Sequence, residues 1–141
     1  MTLTLDMARQ IVSAARAEAE RLSVNGVIAV VDNGAHLVAF ERMDGAWIGS
    51  IQIAIDKAYT AKAFDMPTTR LGEVAQAGGP VFGIHNSNGG RVIIFRGGIP
   101  IEIDGQIVGA IGVSGGVENQ DVDIAEAGLA TLRETASSLP K

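Results

Sequence analysis

The chain contains no cysteine. Thiolate nucleophiles, iron–sulfur clusters and zinc–thiolate sites are therefore excluded, and no disulfide framework carries the fold. Basic residues are scarce: 11 Lys and Arg stand against 16 Asp and Glu, a formal charge of −5. Nucleic acid and anionic membrane attract clustered cations, so this balance argues against both and points to small molecules or protein subunits as partners. Long apolar runs are also missing, and no segment approaches the roughly 20 residues needed to span a bilayer. The first residues lack a basic stretch followed by an apolar one, so no signal peptide is visible and the cytoplasm is the expected location. What is present is a 47% hydrophobic chain of 141 residues, enough for one domain over 1–141 with a core of its own and apolar surface left for subunit contacts.

Hydrophobic periodicity supplies the elements. Leu5, Ala8, Ile11, Val12, Ala15, Ala19 and Leu22 recur at helical spacing from Thr4, a residue suited to an N-cap, to about Ser23. Residues 26–31 and 36–40 flank Asp32-Asn33-Gly34, which predicts a hairpin whose turn places Asn33 and Gly34 at positive φ. Ala46 to Phe64 reads as a helix apolar around most of its circumference, buried or packed at an interface, with Ser50, Ile53, Lys57, Thr60 and Phe64 on one stripe. Pro67 ends it, and a short threonine-capped helix follows over 68–74. Residues 78–90, rich in glycine, form a loop carrying His85. Three strands are expected over 91–95, 99–103 and 106–113, the last two joined by a hairpin at Asp104-Gly105. A helix from about Asn119 to Ser137 closes the chain, with Asp121 and Asp123 in its first turn, where acids complement the helix dipole. Hairpin connections imply an α+β domain, an antiparallel sheet of about five strands with helices packed on it.

Gly112-Val-Ser114-Gly-Gly116 matches G-x-S-x-G, the signature of a serine nucleophile on a strand-to-helix turn. That architecture needs a larger chain with the histidine after the serine. Here His36 and His85 both precede it, leaving only a convergent triad open. Glycines at 109, 112, 115 and 116 are accounted for by close strand packing and a tight turn. No Walker lysine follows them. The remaining chemistry of this stretch is anion binding by the amides of Gly115, Gly116 and Val117 near a helix start.

Four blocks carry a family resemblance: Val30-Val-Asp-Asn-Gly-Ala-His-Leu-Val38, Arg42-Met-Asp-Gly-Ala46, Ala54-Ile-Asp-Lys-Ala-Tyr-Thr-Ala61, and Gly97-Gly-Ile-Pro-Ile101 with Asp104-Gly-Gln-Ile-Val-Gly-Ala-Ile-Gly-Val-Ser-Gly115. In that order they resemble the GlcG/HbpS family, the small haem-binding or "haem-degrading" domain also found at the C-terminus of PduO-type corrinoid adenosyltransferases. The resemblance implies a profilin-like α+β fold and assembly into homo-oligomers. For function it implies either a haem or tetrapyrrole binder or a component of small-acid catabolism, and a shared fold does not choose between them.

The candidate residues follow. His85, in the glycine-rich loop, is the candidate axial haem ligand, divalent-metal ligand or general acid/base, with a surface histidine bonded to its own loop as the alternative. Arg42 and Lys57 are candidate anchors for the carboxylates of a haem or another small anionic ligand, the alternatives being an Arg42–Asp44 pair and a Lys57 partner on a neighbouring subunit. Thr60 extends the polar patch of Lys57. Gly97, Gly98 and Pro100, with Ser114 and Gly115, are expected to bring backbone close to the ligand. His36 is expected to stabilise its hairpin turn, Asp104 to form the second turn, Arg96 and Glu102 to face solvent, and Trp47 and Tyr59 to anchor core or interface. With aromatics at 4%, few ring faces are available to stack on a macrocycle. The rival reading is an isomerase, lyase or hydrolase of a small organic acid, with His85 moving the proton.

Overall fold

Strands β1 (Val27–Asp32) and β4 (Gln106–Ser114) form the centre of a four-stranded antiparallel sheet, flanked by β2 (Leu37–Arg42) and β3 (Gly98–Ile103) in the order β2-β1-β4-β3. The computed structural model describes residues 2–138, with side chains through residue 133. Because successive residues of a strand point to opposite faces, the apolar runs of β1 and β4 serve two cores. Ile28, Val30, Ile111 and Val113 pack with Ile11 and Ala15 of helix α1 (Leu5–Arg21) and with Ile124 and Leu129 of helix α4 (Gln120–Ser138). Val27, Ala29, Val31 and Ala110 pack on the other face against Ala54, Ala58 and Ala61 of helix α2 (Ile48–Phe64). Small residues set that second spacing: a Cβ on Gly112 would collide with the Ala54 carbonyl, so α2 lies directly on β4.

Local chemistry fixes the ends of these elements. Thr4 caps α1 by accepting the Met7 amide (3.1 Å). Asp104 and Gly105, both at positive φ, make the two-residue turn expected between β3 and β4. The first hairpin differs from expectation. Asp32 Oδ1 accepts the amides of Gly34 and His36, the Ala35 amide bonds back to the Asp32 carbonyl, and the positive φ falls on Ala35 rather than on Asn33 or Gly34. The Asp32 carboxylate thus stabilises a longer turn that ends in a bulge.

Two further expectations are corrected. Residues 91–95 form no strand, so the sheet has four strands rather than five. The segment runs past α2 and helix α3 (Thr68–Val74), and the Ile93 amide donates to Thr60 Oγ1 (3.0 Å) instead of a neighbouring strand. Gly72 of α3 admits the Ile94 carbonyl where any Cβ would clash. Nor does a threonine cap α3: Pro67 holds the N-cap position, and Thr68 Oγ1 accepts the Gly98 amide (2.9 Å), tying α3 to β3. Helix α2 is buried on its sheet side and, at Asp56 and Thr60, against residues 91–93. Trp47, immediately before it, and Ile48 are 68% and 83% exposed. No helix among the described residues is long and apolar enough to cross a membrane.

Candidate functional site

Lys57 is 1% exposed, the largest fully buried side chain among the described residues. It projects from the sheet side of α2 to the end of β4, where Nζ donates to the Val113 carbonyl (2.7 Å) and to Asp121 Oδ2 (3.1 Å), and the Phe95 ring centroid lies 5.1 Å away. Asp121, in the first turn of α4, uses its other oxygen to accept the Gly116 amide (2.8 Å). One carboxylate therefore joins α2, the turn after β4 and the start of α4. Burial pushes the Lys57 pKa below the ordinary lysine value, with the Asp121 charge opposing the shift. Glycine makes the room: at Gly97, with φ 125°, a Cβ would come within 2.7 Å of Lys57 Nζ.

Lys57 and Asp121 form part of the wall of a cleft of about 620 Å³. Trp47, Ser50 and Ile53 line it from the side of α2, Gly72, Glu73 and Gln76 from α3 and beyond, Ile94, Phe95 and Arg96 from the irregular segment, and Ser114 to Gly116 with Glu118 from the turn. Phe95 is 52% exposed. Arg96 makes no ion pair among the described residues. Ser114 lines the cleft and is no nucleophile of a triad: its hydroxyl donates to Ser50 Oγ (3.1 Å) and no imidazole meets it.

The structure brings together only part of the predicted set. Lys57, Ser114 and Gly115 meet at the cleft. Thr60 lies beneath it, its hydroxyl donating to the Asp56 carbonyl (2.7 Å) while holding Ile93. Gly97 and Gly98 are buried against Lys57 and Thr68 and are not on the cleft wall. Pro100 lines a separate depression with Ile103 and Leu129, and Arg42 lines another with Arg16, Glu20 and Asp44. His85 is absent from the cleft wall. It lies in a short helical turn, Ile84–Asn86, edge-on to Phe82, with a buried Nδ1 that has no hydrogen-bond partner among the described residues. Among the described residues no three His, Asp or Glu converge, so His85 has no companions for a divalent metal. The anion cradle is also largely filled by the chain itself, since the Gly116 amide binds Asp121 and the Val117 amide binds Gln120 Oε1.

Other residues depart from expectation through tertiary contacts. The acid facing Lys57 is Asp121 of the same chain, 64 residues away, and was legible only as a helix-dipole residue. Arg96 is exposed as expected, but it lines the cleft from a segment that is not a strand, and Trp47, expected as a core or interface anchor, stands exposed at the rim. Tyr59 packs its ring under Arg91 (3.8 Å) and donates to Asn88 Oδ1. His36 Nδ1 lies 3.2 Å from the Asp32 carboxylate that builds the first turn.

With this geometry in place, comparison with known proteins is informative. A 15.0 kDa protein of the dhaT-dhaS intergenic region of Citrobacter freundii is 37% identical over 94% of both chains. The corrinoid adenosyltransferase PduO of the same organism is 37% identical over 94% of this chain, which spans only 39% of that longer protein. The crystal structure of a PduOC:heme complex superposes with a TM-score of 0.89 at 34% identity, covering 92% of this chain and 94% of that one. The profile described as haem degrading protein HbpS-like matches residues 3–130. The chain belongs to the HbpS-like family.

Proposed function

We propose that this domain binds a haem-type tetrapyrrole, a planar ring bearing carboxylates, in the cleft between α2, residues 94–96 and the Ser114–Asp121 turn. One observation carries the reading: the cleft of about 620 Å³ presents two exposed aromatic side chains, Trp47 and Phe95, beside Arg96, a cation with no ion-pair partner among the described residues. That volume lies within the range of small-ligand pockets, ring faces stack on a flat macrocycle, and a guanidinium holds a carboxylate through two parallel hydrogen bonds. The likeness to the crystal structure of a PduOC:heme complex supports the same class of ligand. The fit is to the periphery of the ring. Among the described residues no His, Cys, Met or Tyr lines the cleft, Glu73, Glu118 and Asp121 outnumber Lys57 and Arg96, and the cleft offers one cation outside an ion pair and no customary iron ligand.

The small-acid enzyme reading with His85 as acid or base loses its proton carrier at this cleft, because His85 is elsewhere. A haemin titration followed at the Soret band distinguishes the placements. Wild type is expected to give a saturable shift, Arg96→Ala to weaken it about tenfold by loss of one charge-assisted contact, and His85→Ala to leave it unchanged. Loss of the shift in His85→Ala alone moves the ligand to residues 78–90, and no saturable shift in wild type removes haem as the ligand.

A further inference from the structure

We infer that Lys57 is a nucleophilic amine, and that the cleft accepts a small oxo acid whose carbonyl carbon forms an imine with it. The inference shares the cleft with the haem reading but does not require haem. Its basis is the number of hydrogens at Nζ. Val113 O (2.7 Å) and Asp121 Oδ2 (3.1 Å) are the two acceptors, and a neutral amine has two N–H donors. Deprotonation therefore costs no hydrogen bond, and the lone pair takes a tetrahedral position that neither acceptor occupies. Lys57 is on the cleft wall, and the other groups near Nζ are the face of Phe95 and the backbone of Gly97. Desolvation, which holds the pKa below the ordinary lysine value, adds to the supply of free amine. Arg96 supplies the cation for a carboxylate.

The step balances without an oxidant or reductant. The Nζ lone pair attacks the carbonyl carbon, a C–N bond forms, and the C=O π pair moves to oxygen. Asp121 Oδ2 takes a proton from the nitrogen and returns it to that oxygen, giving a carbinolamine. The nitrogen pair then expels the hydroxyl, which leaves as water with a proton from solvent, and an iminium remains on Lys57.

Only three lysines are present, Lys57, Lys62 and Lys141, so the test has internal controls. The ligand-free protein is incubated with pyruvate and sodium cyanoborohydride, and the reduced adduct is mapped by peptide mass spectrometry. Modification of Lys57 is expected to exceed that of Lys62 and Lys141 by about tenfold, the gain from one charge-assisted carboxylate contact at Arg96 beside the amine. Acetone, which lacks the carboxylate, is expected to lose this preference, as is Arg96→Ala with pyruvate. Lys57→Arg keeps the buried cation and is expected to show no adduct at position 57 while leaving Lys62 and Lys141 unchanged. Equal labelling of the three lysines, or labelling confined to Lys62 and Lys141, overturns the inference even where haemin binds. An adduct at Lys57 in a protein that gives no Soret shift sustains it and removes only the haem reading.

Discussion

A lysine at 1% exposure stays folded only because its charge is answered. Asp121 is its sole carboxylate partner among the described residues and also holds the Gly116 amide, so the two halves of the pair are unequal. Removing the acid strands a buried cation, a class of change that costs about 3–5 kcal/mol. Removing the lysine leaves an acid that still accepts an amide and keeps some solvent contact, its side chain being 12% exposed. Urea denaturation is therefore expected to show a loss of about 3 kcal/mol or more for Asp121→Ala and a smaller loss for Lys57→Met. A reversed order is inconsistent with a charged, buried Lys57. The same residue gives a signed pH dependence. Its folded pKa is depressed by burial against an ordinary value of 10.5, so between the folded value and 10.5 the unfolded chain binds the extra proton. Stability rises with pH across that window, and below the folded value the cost of burying the charge is fully present. Wild type is expected to gain stability relative to Lys57→Met as pH is raised toward 10.5, and a flat difference between the two refutes the shift.

At the scale of elements, the cleft exists because residues 91–97 are not a strand. Thr60 takes the Ile93 amide, Gly72 lets the Ile94 carbonyl press against α3, and the chain then delivers Phe95 and Arg96 to the cleft wall. A single methyl disturbs this placement. Gly72→Ala puts a Cβ into the Ile94 carbonyl and is expected to cost about 1–3 kcal/mol, as overpacked sites do. It is also expected to weaken haemin binding while α1 and α4, on the other face of the sheet, keep their packing. Amide hydrogen exchange checks it: faster exchange at Ile93 with unchanged protection in β1 is the expected pattern. Loss of protection throughout the sheet means that the segment is part of the core rather than a wall added to it.

For the whole molecule, the apolar surface left outside the two cores calls for a partner. Trp47 and Ile48, 68% and 83% exposed, lie at the start of α2 beside the cleft, where a second copy of the chain would remove them from water. Sedimentation equilibrium is expected to show a homo-oligomer that Trp47→Ser with Ile48→Ser shifts toward the monomer; a monomeric wild type at micromolar concentration ends that expectation. Sequence by itself determined the elements and their class. Periodicity at 3.6 and 2, the Thr4 cap, the Asp104-Gly105 turn and the glycines of β4 are local signals whose physics acts within a few residues, and the four motif blocks led to the family. It also marked Lys57, because a lysine on an apolar helix has to find a charge. It did not determine which charge. The Lys57–Asp121 contact spans 64 residues, and Arg96 reaches the cleft only because Thr60 and Gly72 hold its segment out of the sheet. His85, Arg42 and Pro100 have suitable chemistry but lie in other places. Only the tertiary structure decided these placements, since burial and hydrogen-bond satisfaction are settled by the packing of distant segments and leave no period or spacing in the chain.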